Sequence, residues 1–366
     1  MMESKMRKRV LMVGYDNVNL GDDLFFWIVC NNFPEYDFYF VTKLWSEYRR
    51  ILPFPNLHIV KKGLINRALN RLFKRYIAPL KLRIQRLDAI LYVGGSVFME
   101  EDDGSCYTLK QLNGLMSIYK NRPLYIAGCN YGPERSSAFR ASVAKLLAQA
   151  HSVCFRDSHS YNLFSQIEGV GYSADIVFQL DTTRYKTTKS DEVGFSIIDL
   201  RRRDFDQQCK VNYIDGISRI IRRLIADNRR VVLFSFCKNE GDLDSCNHIK
   251  SLFNAEEQEF IRIVSYDGDI DSFINEFRAV EMLYATRFHA LVLGLLFQIK
   301  TIPIIYSDKS INMLNDLWLG DCDKIDIRDE NSFARLNEIE PILLSQERLN
   351  SLRESSLRQL LDFKEL

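Results

Sequence analysis

MLYATRFHALVLGLLFQIKTIPIIYSDK, residues 282–309, holds a complete strand–helix–strand unit. Met282–Ala285 and Thr301–Tyr306 are short apolar runs closed by polar residues, the length and composition of buried strands. Ala290–Phe297 between them is apolar throughout and of helix-core length. Strands that are apolar on both faces, joined by a helix, belong to a parallel sheet covered on both sides.

The same alternation extends in both directions. Val193–Ile198, Val231–Phe236 and Ile261–Val264 read as further strands, and Val211–Ala226 carries Ile214, Ile217, Ile221, Leu224 and Ile225 at helical spacing. Upstream, Val10–Val13, Phe38–Val41, Ala89–Val93, Leu124–Ala127 and Ser152–Phe155 repeat the scheme, with a helix over Leu24–Cys30. Between the halves, Asp181–Glu192 is polar and poor in large aliphatic residues. A chain of 366 residues also exceeds what one hydrophobic core usually serves. The expectation is therefore an α/β protein with parallel sheets in two Rossmann-like domains, 1–182 and 190–330, with C-terminal helices over 331–366. Strands that end in glycine or polar loops place the working groups in the cleft between the domains.

Composition narrows the functional classes. Lys and Arg number 49 against 48 Asp and Glu, so overall charge gives no case for a nucleic-acid partner. The eight cysteines are scattered singly without a CxxC pair, which suits free thiols in a reducing compartment. No stretch is long enough to span a membrane, and the N-terminal segment lacks a signal-peptide pattern, so the expected location is the cytoplasm. His151, Cys154 and His159 match no zinc spacing, so no metal is expected. One local excess stands out: Lys61–Asp88 holds nine Lys/Arg against a single acid, interleaved with leucines. It reads either as a solvated basic helix or, over 61–86, as a peripheral contact with anionic membrane.

The loop Gly14–Asp23 follows the first strand and opens a helix. Asp22 is placed to cap that helix, while Asn17, Asn19 and Gly21 suit a tight backbone wrapped around a ligand. It is neither GxGxxG nor a P-loop. Gly94 and Gly95 end one strand, and Gly128 to Pro133 follow another. Arg156-Asp157 terminates the strand Ser152–Phe155, and an arginine at a strand's carboxyl end points towards the ligand crevice. Arg287 and His289 stand two apart at a helix start, where backbone N–H groups add partial positive charge. Lys309 lies just beyond the next strand. Arg156, Arg287, His289 and Lys309 would together suit a multiply charged anion.

In order along the chain, the Gly14–Asp23 loop, Gly94-Gly95, Gly128 to Pro133, Phe155-Arg156-Asp157, Ala174-Asp175, Arg287-Phe288-His289-Ala290 and Tyr306 to Lys309 resemble the polysaccharide pyruvyl transferase family. The resemblance implies a glycosyltransferase-B-like fold and transfer of pyruvate from phosphoenolpyruvate onto a saccharide, with no cofactor beyond that co-substrate. It implies that Arg156, Arg287, His289 and Lys309 handle the donor, with His289 able to protonate the enol. Asn19, Gly21, Asp22, Gly94, Gly95 and Asp157 would complete the substrate site, and Asp22 and Asp157 both stand as candidate bases. The acceptor is a surface or lipid-linked saccharide. Ser96 and Ala174 depart from the family's glycine and proline. The competing readings are a nucleotide-sugar glycosyltransferase of the same fold and a non-catalytic glycan-binding protein.

Overall fold

The computed structural model describes residues 7–63, 86–186, 188–329, 332–333 and 339–366. Contacts divide the chain into two compact units. The first comprises Met1–Asp16, Asp22–Gln179 and Arg353–Leu366; the second comprises Asn17–Gly21 and Leu180–Leu352.

The first unit is built on β1 (Arg9–Val13), β2 (Asp37–Thr42), β3 (Leu57–Lys61), β4 (Ala89–Val93), β5 (Ser96–Phe98), β6 (Leu124–Tyr131), β7 (Ser152–Phe155) and β8 (Val170–Tyr172). The main path runs β3-β2-β1-β4-β6-β7-β8, with β5 paired to β6, and the pairings are parallel. Every residue of β4 and β6 is buried, as strands with helices on both faces require. Leu11, Ile90, Ile126 and Val153 pack with Leu112, Leu115, Val143 and Leu146 into one core cluster. Each such side chain, fully buried, stabilises the unit by roughly 1.5–3 kcal/mol.

The second unit carries β9 (Val193–Ile197), β10 (Val231–Ser235), β11 (Ile261–Ser265), β12 (Met282–Ala285), β13 (Lys300–Ile305) and β14 (Ile325–Asp326). Their order is β11-β10-β9-β12-β13-β14, again parallel throughout. Phe195 and Tyr284, directly paired across β9 and β12, stack with ring centroids 4.5 Å apart. In each sheet the strand order reverses once, between β1 and β4 and between β9 and β12. A crevice outside the carboxyl ends opens at such a reversal.

Two segments lie differently from the sequence expectation. Asp181–Glu192 is tied to the second unit: Tyr185 is buried against Phe297, Arg184 pairs with Asp271, and the Ser190 N–H donates to the Ala279 carbonyl. The C-terminal helices are shared between units, because Arg353–Leu366 packs on the first. Phe363 there sits 5.1 Å from Phe33, 5.4 Å from Tyr36 and 5.3 Å from Tyr125. Residues 64–85, most of the basic segment, lie outside the described residues. Among the described residues, no helix is long and apolar enough to cross a membrane.

Candidate active site

In the second unit the site grows from the β9/β12 reversal. β12 ends at Ala285, and the Ser196 hydroxyl of β9 accepts the N–H groups of Thr286 and Arg287 at 3.1 and 2.9 Å. That pins the turn into the helix Phe288–Leu296 and makes Arg287 its N-cap residue. The Arg287 guanidinium is buried and doubly paired. Its Nε and Nη2 donate to Asp242, and Nη1 donates to Glu240 at 2.7 Å. Burial alone would pull the guanidinium down, but Asp242 and Glu240 outweigh it and raise Arg287 well above its ordinary value. Asp242 also accepts the Cys237 N–H at 3.0 Å; burial raises its carboxyl above the ordinary value, against the opposing pull of Arg287. Glu240 bridges onward to Arg203 at 2.8 Å and accepts from Asn19 Nδ2 at 3.3 Å.

The segment Asn17–Gly21 is therefore part of this site. The Asn17 carbonyl accepts from Asn239 Nδ2 at 3.0 Å, and the Leu20 N–H donates to the Phe236 carbonyl at 3.2 Å. Val18 is held at φ 51°. For a β-branched residue such left-handed backbone costs on the order of 1–3 kcal/mol, so the surrounding contacts must impose it. Asn19, not Asp22, caps the helix Leu20–Asn32, with Oδ1 accepting the Gly21 N–H at 3.1 Å. Asp22 instead supplies negative charge in the first turn. Gly21 lies against His289: a Cβ there would stand 1.8 Å from Nδ1 of the imidazole. His289 is half-buried in the first turn of Phe288–Leu296.

Lys309, in the first turn of the helix Asp308–Asp316, places Nζ 5.4 Å from the Tyr306 ring centroid and 6.0 Å from that of Phe288. Tyr306 reports the local field. Burial alone would push its phenol up, yet Lys309, Arg287 and Arg203 outweigh burial and bring it below its usual value. Three cations thus gather around one buried phenol at the carboxyl end of this sheet.

The first unit carries a separate cluster. Arg156 follows β7, and its guanidinium pairs with Asp175 at 3.1 Å and donates to Asn130 Oδ1 at 2.6 Å. Its side chain is only 2% exposed, so the cluster is a built part of the interior. Gly95 makes room for it, since a Cβ there would stand 2.7 Å from Nη1. Asp157 is the N-cap of Ser158–Phe164, accepting from the Ser160 N–H at 2.8 Å and the Ser160 hydroxyl at 2.9 Å. Buried and committed to that cap, Asp157 does not suit the role of base.

The structure thus brings Asn19, Gly21, Arg287, His289 and Lys309 together in the second unit. Arg156, Asp157, Gly94 and Gly95 belong to the first, as does Asp22. Sequence reasoning missed Asp242, Glu240 and Arg203. Glu240 ends the turn Lys238–Glu240 after β10, Asp242 opens the helix Asp242–Ser251, and Arg203 follows the turn after β9; a carboxylate there carries no spacing signal for the arginine Asp242 meets 45 residues later. Asn130, expected in the loop after a strand ending at Ala127, lies within β6, and contact with Arg156 gives it and Asp175 their role. Among the described residues, no group of three or more His, Cys, Asp or Glu is arranged to hold a metal ion.

Two Rossmann-like units with parallel sheets define a glycosyltransferase-B-like protein. Solved structures agree on that class. UDP-GlcNAc 2-epimerase from Methanocaldococcus jannaschii, in complex with UDP-GlcNAc and UDP, matches with a TM-score of 0.62 at 10% identity, over 98% of this chain and 100% of that one. An α,α-trehalose-phosphate synthase (UDP-forming) from Burkholderia vietnamiensis gives a TM-score of 0.51 at 10% identity, over 98% and 94%. Sequence goes further than fold. The polysaccharide pyruvyl transferase family matches residues 19–308, and the chain belongs to that family. The amylovoran biosynthesis protein AmsJ of Erwinia amylovora is 21% identical over 327 residues, covering 80% of this chain and 74% of the relative.

Proposed function

We propose that the protein transfers the pyruvyl group of phosphoenolpyruvate onto two hydroxyls of a saccharide, forming a cyclic ketal. The observation that carries this reading is the gathering of Arg203, Arg287 and Lys309 around Tyr306, beside His289 at a helix start. Phosphoenolpyruvate bears a carboxylate and a phosphate, and cations with a helix N-terminus suit both groups. His289 donates a proton to the C3 methylene, forming a C–H bond and leaving a cationic centre at C2. A saccharide hydroxyl oxygen bonds to C2 and loses its proton. A second hydroxyl oxygen then bonds to C2 and gives its proton to the departing phosphate, as the bond between C2 and the bridging oxygen breaks and inorganic phosphate leaves with that oxygen. The relative's role in amylovoran biosynthesis supports a polysaccharide or its precursor as acceptor.

A nucleotide-sugar donor would need a carboxylate for its ribose diol. Glu240 and Asp242 lie at this site, but both are engaged by arginine. Those arginines are engaged in the same pairs, so it is the family match over residues 19–308 that supports the pyruvyl donor over the nucleotide sugar.

Thermal melting with phosphoenolpyruvate and, separately, with UDP-GlcNAc tests the donor. A ligand at 100 times its Kd stabilises the folded state by about 2.7 kcal/mol, so phosphoenolpyruvate should raise the melting temperature and UDP-GlcNAc should not. The reverse pattern would overturn the reading. His289→Gln should leave phosphoenolpyruvate binding intact while cutting turnover by about 100- to 10,000-fold.

A further inference from the structure

One side chain near the C-terminus ties together the three backbone stretches that supply the first unit's arginine cluster. Gln359 is buried, and its Nε2 donates to the carbonyls of Phe155 at 3.0 Å, Ser173 at 3.1 Å and Ala174 at 3.2 Å. Its Oε1 accepts the Gly128 N–H at 2.8 Å. Phe155 directly precedes Arg156, Ala174 directly precedes Asp175, and Gly128 stands two residues before Asn130. Those three are the partners Arg156–Asp175 and Arg156–Asn130.

The contact at Gly128 has a further consequence. The β6–β7 register shifts between Ala127 and Cys129, and Gly128 is the extra residue, with φ 75°. A bulge of this kind takes an N–H out of the ladder and re-aims the side chains beyond it. Gln359 takes up that N–H, and Asn130 emerges two residues later facing Arg156. The task needs a group that both donates and accepts at this length, which a primary amide does. Anchoring of the tail does not account for it. The Phe363 ring cluster, Ser152 on Asp362 and Gln179 on the Ser356 carbonyl already fasten the same segment.

We propose that Gln359 is a positioning residue for the Arg156–Asp175–Asn130 cluster, so that the last stretch of the chain completes a site whose other members lie some 180 to 230 residues earlier. The structural part stands independently; the kinetic part rests on the pyruvyl transfer reading.

Two measurements on the full chain test it. In protein labelled with ¹⁵N-arginine, the Arg156 Nη2–H signal, the donor to Asn130, is assigned by its loss in Arg156→Lys. Its solvent exchange should quicken at least tenfold in Gln359→Leu and in Gln359→Asn, which keeps the amide but falls one methylene short. The second variant serves if the first fails to fold. Unchanged exchange in a folded variant overturns the proposal. In steady-state pyruvyl transfer, Gln359→Asn and Arg156→Lys should each lower kcat with smaller changes in the KM for phosphoenolpyruvate. The double variant should fall no further than the worse single one, as expected for residues acting as a unit. Multiplying losses would mean that Gln359 acts elsewhere and would also overturn it. If the wild type transfers no pyruvate, the functional reading alone fails, and the exchange measurement still decides.

Discussion

Replacing Gly21 with alanine tests whether the Asn17–Gly21 segment is shaped to seat His289. The new Cβ would stand 1.8 Å from Nδ1, 2.5 Å from Cγ and 2.7 Å from Cε1 of the imidazole. Ordinary contact begins at 3.4 Å, so against the 1.8 Å separation the ring must retreat by about 1.6 Å. The retreat is constrained, because Phe288 on one side of His289 and Ala290 on the other are buried. Two opposed effects then act on stability. Overpacking of this kind costs about 1–3 kcal/mol. Alanine in place of glycine within a helix returns up to about 1 kcal/mol, and Gly21 lies in the first turn of Leu20–Asn32. The net effect in the wild type is destabilising, by about 0–3 kcal/mol.

In a His289→Ala background the clash disappears and only the helical gain remains, so the same substitution should become neutral or stabilising. Thermal melting followed by circular dichroism reads that reversal without any knowledge of substrate. Under the proposed role of His289, turnover gives a second reading, since a displacement above 1 Å of a reacting group costs about 100-fold. Equal destabilisation in both backgrounds would refute the reasoning, as would wild-type turnover in folded Gly21→Ala.

Two further outcomes are expected. Arg287→Ala should destabilise the protein by about 3–5 kcal/mol, because it leaves Asp242 buried without its partner, and adding Asp242→Asn should recover part of that loss in denaturant melts. Under the proposed donor site, affinity for phosphoenolpyruvate should fall as pH rises through the Tyr306 titration, below the usual phenol value of about 10, because the phenolate sets a negative charge among the cations around it. Calorimetry across alkaline pH should show this limb in the wild type and lose it in Tyr306→Phe; a limb that persists would assign it to another group.

Most of the frame was legible because it is written in local pattern. Strands β9 to β13 and their helices are apolar runs closed by glycine or polar residues, and that signal needs no knowledge of distant partners. The short strands were harder. Val170–Tyr172 and Ile325–Asp326 lie at sheet edges and carry too few apolar residues for a period to register. The units divide at Gln179/Leu180, close to the expected boundary, but the fastening of the polar stretch that follows escaped for another reason. Asp181–Glu192 has the composition of a linker, but Arg184 and Tyr185 find partners in one helix and at the end of another far along the chain, and composition does not record that. The tail was read as charged helices from its surface, while Phe363, which fastens it, is one residue among many polar ones.

The glycines show where reading a ligand site from sequence needs a physical correction. Gly21 and Gly95 both looked like backbone opened for a ligand. Each instead receives a side chain of the protein itself, His289 in one unit and Arg156 in the other. The same chemistry explains both observations. A cationic or proton-bearing group has to be held still to act on an anion, and a rigid surface without a Cβ allows the closest approach of its ring or guanidinium plane. Carboxylates and amides then fix what the glycine admits: Asp175 and Asn130 for Arg156, Asp242 and Glu240 for Arg287 beside His289. These glycines therefore speak for the positions of Arg156 and His289 rather than for a donor's phosphate. Substituting them should disturb the chemistry through those two side chains before it disturbs binding.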